Sequence, residues 1–170
     1  PLAYAVAQHM PENFTRAFAE RLARSTGFDV REAEEGDELL HGRVLVAPGG
    51  RHLRLVRAGG PLAPVRAALA QRDPRDGRRY CPSVDALFES AADAMGDRVC
   101  AVVLTGMGND GRRGVEKVKE AGGLAIAESE QTAVVYGMPR EAAGTGKVDE
   151  VLSLEDIVTR LRVFAGERSR

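Results

Sequence analysis

The sequence predicts a three-layer α/β/α sandwich built on a mostly parallel, doubly wound sheet, with an antiparallel hairpin at one edge. Short apolar runs of strand length alternate with amphipathic helical patterns along the chain, as expected when helices connect parallel strands. The clearest series is strand 99–104, helix 111–120 and strand 124–127, which predicts a right-handed βαβ unit. We see no internal repeat and no linker, so we expect residues 1–170 to form one domain.

The remaining elements follow from hydrophobic periodicity and from the residues that end each run. Apolar or alternating runs predict further strands at 2–7, 28–33, 43–47 and 52–57. Helical stripes run from Phe14 to a stop at Gly27, from the cap Ser83 to Gly96, and from the capping box at Ser153 to Phe164. Residues 58–79 predict a long surface loop with room for one short helix at 65–70, and residues 128–146 a loop with one or two short helices interrupted at Pro139.

The edge hairpin is assigned to strands 43–47 and 52–57. They flank Pro48-Gly49-Gly50, a turn-forming triplet, and the second strand alternates leucine with arginine. Charged residues are tolerated on a strand at the edge of a sheet. We therefore expect these two strands to pair with each other.

Composition excludes several classes of function. The net charge is -1, so there is no global basic field for nucleic acid, and no apolar run approaches the roughly 20 residues that span a bilayer. Cys81 and Cys100 have no zinc-ligand spacing and are expected to be reduced thiols, which indicates a cytoplasmic protein. Three scattered histidines make a metal site improbable, and we expect no cofactor.

The most informative stretch is the apolar strand 99–104 and the glycine-rich turn that follows it. Ligands and chemistry gather at the carboxyl ends of strands in open α/β sheets, and Asp110 lies in this turn. Gly106, Gly108 and Gly111 also satisfy the dinucleotide-binding pattern, with Glu128 as the ribose-binding acid. A carboxylate in the loop would repel a pyrophosphate. A catalytic carboxylate is therefore favoured over a dinucleotide loop, and a carboxylate that only caps the next helix stays open.

A histidine occupies the same kind of position on another strand. His9 follows the run 2–7, and Pro11 ends that strand. From spacing alone, a core or capping histidine is the more common interpretation. A catalytic histidine is the alternative.

Five segments taken together resemble the catalytic domain of the chemotaxis protein-glutamate methylesterase family (CheB type). They lie in family order from residue 4 to about 165. They are Gln8-His9-Met10-Pro11, Val46-Ala47-Pro48-Gly49 with His52-Leu53, Pro82-Ser83-Val84-Asp85 with Leu87-Phe88, Leu104 to Gly111, and Val135-Tyr136-Gly137-Met138-Pro139. Each is weak by itself, but five in register are highly specific.

The resemblance implies a Ser-His-Asp hydrolase that removes methyl groups from glutamate side chains of chemoreceptors and deamidates certain glutamines. His9 matches the general base, Asp110 the carboxylate that orients it through Nδ1–H, and the Met107 backbone N–H part of the oxyanion hole. The implied partners are the cytoplasmic helices of methylated chemoreceptors and a regulatory receiver domain, with no nucleic acid and no membrane insertion.

One part of the family pattern is missing. The family's nucleophilic serine lies upstream of the histidine strand, in a turn after the first strand of the sheet, and the sequence contains no such turn before His9. Ser83 is the nearest substitute, but its context predicts a helix cap. We expect a truncated domain whose uncovered edge at 2–7 or 99–104 makes residues 1–170 aggregate or swap strands. A non-catalytic module that docks on receptor helices or on a receiver domain is the alternative.

Overall fold

The computed structural model describes residues 2–167, in an alternating series of strands and helices. The strands are β1 (Tyr4–Val6), β2 (Asp29–Glu32), β3 (Arg43–Val46), β4 (Arg51–Arg57), β5 (Val65–Gln71), β6 (Cys100–Val103), β7 (Leu124–Glu128) and β8 (Glu150–Leu152). The helices are α1 (Phe14–Ser25), α2 (Val84–Met95), α3 (Arg112–Glu120), α4 (Met138–Ala143) and α5 (Leu154–Glu167). None of these helices is long and apolar enough to cross a bilayer. The mixed α/β class with mostly parallel strands is confirmed.

The parallel strands form two three-stranded sheets. In the first, β3 lies between β1 and β2, and in the second β7 lies between β6 and β8. β4 and β5 form a separate antiparallel pair. All parallel strands of a sheet end at the same edge, so the segments after β1 and β6 emerge on the sides of the sheets where chemistry collects in α/β folds.

The predicted hairpin between 43–47 and 52–57 is wrong. β3 pairs in parallel with both β1 and β2, because it is apolar on both faces and its last residues are fully buried between two neighbours. β4 pairs instead with β5, in the segment predicted to be loop or short helix. In β5, Val65 and Ala67 are buried while Arg66 between them is exposed, so the period is that of a strand.

Helix α2 forms as predicted and carries residues of the site at its amino end. The Ser83 side chain accepts the Ala86 N–H at 3.3 Å, and Gly96, with φ +60°, ends the helix. Helix α4 is not interrupted at Pro139. The proline lies in its first turn, where its missing N–H costs no hydrogen bond.

An open cleft, here called the inter-sheet cleft, separates the two parallel sheets. β1 is the edge of the first sheet and β6 the edge of the second. Two adjoining cavities of about 590 and 630 Å³ lie along these strands, and both are lined by Tyr4, Ala5, Cys100 and Leu161. The second cavity continues to the carboxyl ends of the strands, where it reaches His9 and Met107.

Candidate active site

The fold brings His9 and Asp110 together although 101 positions separate them. His9 lies just beyond β1 and Asp110 in the turn beyond β6, and His9 Nε2 is 2.7 Å from Asp110 Oδ2. The nitrogen that faces the carboxylate is Nε2, whereas the sequence-based expectation was Nδ1. With Nε2–H donating to Asp110, Nδ1 is the nitrogen left to accept a proton.

The Asp110 carboxylate is 6% exposed and accepts four hydrogen bonds. Besides His9, the donors are the Ser83 hydroxyl at 2.9 Å, the Val84 N–H at 2.7 Å and the Asp85 N–H at 2.9 Å. Burial by itself would raise the pKa of Asp110. The hydrogen bonds from His9, from the two backbone N–H groups and from Ser83 outweigh burial and lower the pKa below its ordinary value, so the group is ionised.

The Asp85 carboxylate caps α3, the helix that follows Asp110 in the sequence. Its Oδ1 accepts the Gly111 N–H at 2.9 Å and the Gly114 N–H at 2.8 Å, at the start of α3. Burial raises the pKa of Asp85; the Gly114 N–H acts in the opposite direction, and the charge of Asp110 raises the pKa further. Each carboxylate therefore caps the helix that begins beside the other one, which locks the Asp110 backbone from both sides.

The glycine turn is braced by the segment before α4. Gly106 donates its N–H to Val135 O at 3.0 Å, and Gly106 O accepts the Gly137 and Met138 N–H groups at 3.2 and 2.7 Å. Gly137 is required by close approach, because a Cβ there would lie 2.6 Å from Gly106 O. These bonds fix the path of the turn.

Glu128, the acid of the dinucleotide alternative, also supports this turn. Its side chain is 3% exposed and accepts the Thr105 N–H at 2.7 Å. A ribose-binding acid has to present its carboxylate to the ligand, whereas this one is occupied by the protein backbone. The dinucleotide interpretation is therefore not favoured. Within residues 2–167, no group of three or more His, Cys, Asp or Glu side chains could hold a metal ion.

Met107 lies at the tip of the turn. Its side chain is 75% exposed, and it lines the same cavity as His9. Within the described residues, its backbone N–H donates to no acceptor. The N–H is therefore free to donate to a bound group.

Known proteins resemble this chain over most of its length. A sequence model of the family described as CheB methylesterase matches residues 1–161. The chain belongs to the CheB methylesterase family. It is 59% identical over 97% of its length to protein-glutamate methylesterase/protein-glutamine glutaminase 6 of Anaeromyxobacter dehalogenans, covering 47% of that protein, and 51% identical over 91% of its length to number 3 of Geobacter sulfurreducens, covering 40%.

A solved relative shows the same fold. The crystal structure of the Thermotoga maritima CheB methylesterase catalytic domain superposes with a TM-score of 0.88 at 40% identity, covering 95% of this chain and 82% of that one. The chain thus spans less than half the length of these two curated CheB-family relatives and most of a solved CheB catalytic domain.

Ser83 is a helix cap, as its sequence context predicts. Its hydroxyl donates to Asp110 Oδ1, its oxygen accepts from Ala86, and its backbone N–H donates to His52 Nδ1 at 3.2 Å. Burial lowers the pKa of His52, which favours the neutral form that accepts this bond. A serine with these hydrogen bonds helps to hold Asp110 in place.

Tyr80 is a residue that sequence reasoning missed. Its ring stacks on the His9 imidazole with centroids 4.1 Å apart and planes 8° apart, and the Arg79 guanidinium lies 5.9 Å from the same ring. Tyr80 lies just after the loop predicted at 58–79 and before the cap Ser83, and it has no periodicity that would place it near His9. The one feature of the sequence that could have placed Tyr80 near the site is its position just before the Pro82-Ser83-Val84-Asp85 motif.

Proposed function

We propose that this chain is the catalytic part of a protein-glutamate methylesterase, which hydrolyses glutamyl methyl esters and deamidates glutamine side chains on proteins. The observation that carries the proposal is the 2.7 Å contact between His9 Nε2 and the buried, ionised Asp110. The names of the CheB-family relatives point to the same reaction.

In this proposal His9 is the general base and Asp110 orients it. Asp110 holds Nε2–H and so leaves the Nδ1 lone pair of His9 available to take the proton of a serine hydroxyl. The serine oxygen attacks the ester carbonyl, and the imidazolium returns the proton to the departing methanol. Water then cleaves the acyl-serine with the same base, releasing glutamate. For a glutamine, the leaving group is ammonia.

The negative charge that develops on the carbonyl oxygen needs fixed donors. The Met107 N–H supports this role, because Met107 lines the cavity shared with His9 and its N–H has no acceptor among the described residues. The backbone bonds of Gly106 hold the turn in place before substrate arrives. Such preorganised donors stabilise a tetrahedral intermediate more than flexible ones do.

The nucleophilic serine is assigned to a segment upstream of residue 1 that enters the inter-sheet cleft as a strand. Among residues 2–167, β1 pairs only with β3 and β6 only with β7, and both strands line this cleft. A parallel strand between them would satisfy the backbone groups on the open sides of both. Its carboxyl end would emerge beside His9 and Met107, where a serine turn is needed. The proposal further assigns the chain to the cytoplasm, with methylated chemoreceptor helices as substrate and a receiver domain as regulatory partner.

The test is methanol release from a methylated receptor fragment by the protein that carries the serine segment. His9→Ala is expected to lower kcat about 10²–10⁴-fold, the usual contribution of general acid–base catalysis. His41→Ala is the matched control, since His41 is exposed in the segment before β3. Unchanged turnover after His9→Ala rejects the assigned pair. Receptor binding without methanol release from the wild type would favour the docking module.

A further inference from the structure

The backbone around His9 does little to hold its side chain. Gln8, His9 and Met10 follow β1 without regular structure, and their backbone groups make no hydrogen bond to another described residue. The orientation of the imidazole therefore depends on contacts of the ring itself. Among the described residues, Asp110 is the hydrogen-bond partner of the ring and Tyr80 is its aromatic neighbour.

The two contacts restrain different motions. A hydrogen bond at Nε2 holds one ring atom, but Nε2 lies close to the Cβ–Cγ axis, so the bond restrains rotation of the ring about that axis only weakly. Such a rotation changes the direction of the Nδ1 lone pair. The Tyr80 ring lies nearly parallel to the imidazole, at 8° and 4.1 Å, and blocks this rotation on one face.

The far end of the same tyrosine reaches the glycine turn. A Cβ at Gly108 would lie 2.7 Å from the Tyr80 hydroxyl oxygen, and Gly108 has φ +97°, so only glycine fits here without strain. Gly108 directly follows Met107, whose N–H is the proposed oxyanion donor. Tyr80 therefore spans the distance between the general base and the turn that carries that donor.

We propose that Tyr80 is a positioning residue of the esterase reaction, whose aromatic ring sets the plane of the His9 imidazole against the Met107–Gly108 turn. This inference rests on the proposed function. The ring carries the role, and the hydroxyl is dispensable.

The experiment compares three variants in the protein that carries the serine segment. Tyr80→Leu removes the stack and is expected to lower kcat about 10- to 100-fold with KM changed less than about twofold, since misplacing a reacting group has costs of that order. Tyr80→Phe keeps the ring and should retain kcat within about threefold. Phe28→Leu is the control, because Phe28 forms an edge-to-face pair with Tyr4, 5.4 Å between centroids, before the amino end of β2.

A second measurement separates positioning from folding. The downfield proton resonance of His9 Nε2–H should remain in Tyr80→Phe and broaden in Tyr80→Leu, while the unfolding midpoints of Tyr80→Leu and Phe28→Leu stay comparable. Unchanged kcat in Tyr80→Leu, or an equal loss in Tyr80→Phe, overturns the role of the ring. A wild-type protein that releases no methanol overturns the proposed function instead.

Discussion

Replacing Asp110 with asparagine should destabilise the protein strongly, whereas the same replacement at Asp85 should not. The two buried carboxylates use their oxygens differently. In Asp110, Oδ1 accepts from Ser83 and from the Asp85 N–H, while Oδ2 accepts from His9 and from the Val84 N–H. In Asp85, both buried N–H bonds go to Oδ1 alone.

The magnitude follows from this count. Asp110→Asn places an NH2 group against one backbone N–H, of Val84 or of Asp85, and against one partner that can switch to accepting, His9 or the Ser83 hydroxyl. One buried N–H without its acceptor costs about 1–3 kcal/mol, so the free energy of unfolding should fall by about that amount. Asp85→Asn keeps an accepting oxygen for both N–H groups. It loses the contact of Oδ2 with the largely exposed Arg113, a 3.4 Å ion pair of a class that contributes less than about 1 kcal/mol.

Urea unfolding at pH 7 and methanol release measure the two effects in the protein that carries the serine segment. Asp85→Asn should change the unfolding free energy by less than about 1 kcal/mol and keep its activity. Asp110→Asn should lose stability by the larger amount and also lose about 10⁴-fold in kcat, because an amide selects the wrong imidazole tautomer. Equal losses of stability at the two positions would refute the assignment of hydrogen bonds to individual oxygens.

Three further predictions use other features of the site. The folded-state pKa of Asp110 lies below its ordinary value of 3.8, so the ionised carboxylate stabilises the protein fully above pH 3.8 and this stabilisation is lost as the pH falls through the folded-state pKa. Between pH 6 and pH 2, the melting temperature of Asp110→Asn should therefore fall less steeply than that of the wild type. Gly137→Ala pushes a methyl group against Gly106 O and should lower kcat at least about tenfold, whereas Gly27→Ala, with open space around it, should not. Burial raises the pKa of Cys100 to about 11, so about one thiol in a thousand is ionised at pH 8 and alkylation timed by mass spectrometry should be correspondingly slow.

The positions of His9 and Asp110 were predictable because they depend on a simple rule of parallel sheets. Both residues follow apolar runs without internal charge, and such runs end at a common edge. Which imidazole nitrogen meets the carboxylate was not predictable. That choice depends on a side-chain torsion of His9, and the sequence carries no signal for it.

Strand pairing was predicted less well than strand position. The turn at Pro48-Gly49-Gly50 suggests a local hairpin, but β3 makes non-local parallel pairs on both edges. β5 was missed because its alanines suit a helix, and its strand form depends on burial against β4. Tyr80 was missed for a related reason, since the path of a loop decides which ring it brings to His9.

Asp110 can be both a helix-capping carboxylate and a catalytic one, so the two interpretations of this residue are compatible. An ionised carboxylate has about four acceptor positions. Three of them are filled from the amino end of α2, which makes Asp110 a cap for α2 rather than for the helix that follows it in sequence. The fourth is left for His9. The cap therefore serves the proposed chemistry, because it holds a buried carboxylate ionised and fixed with one acceptor position directed at the imidazole.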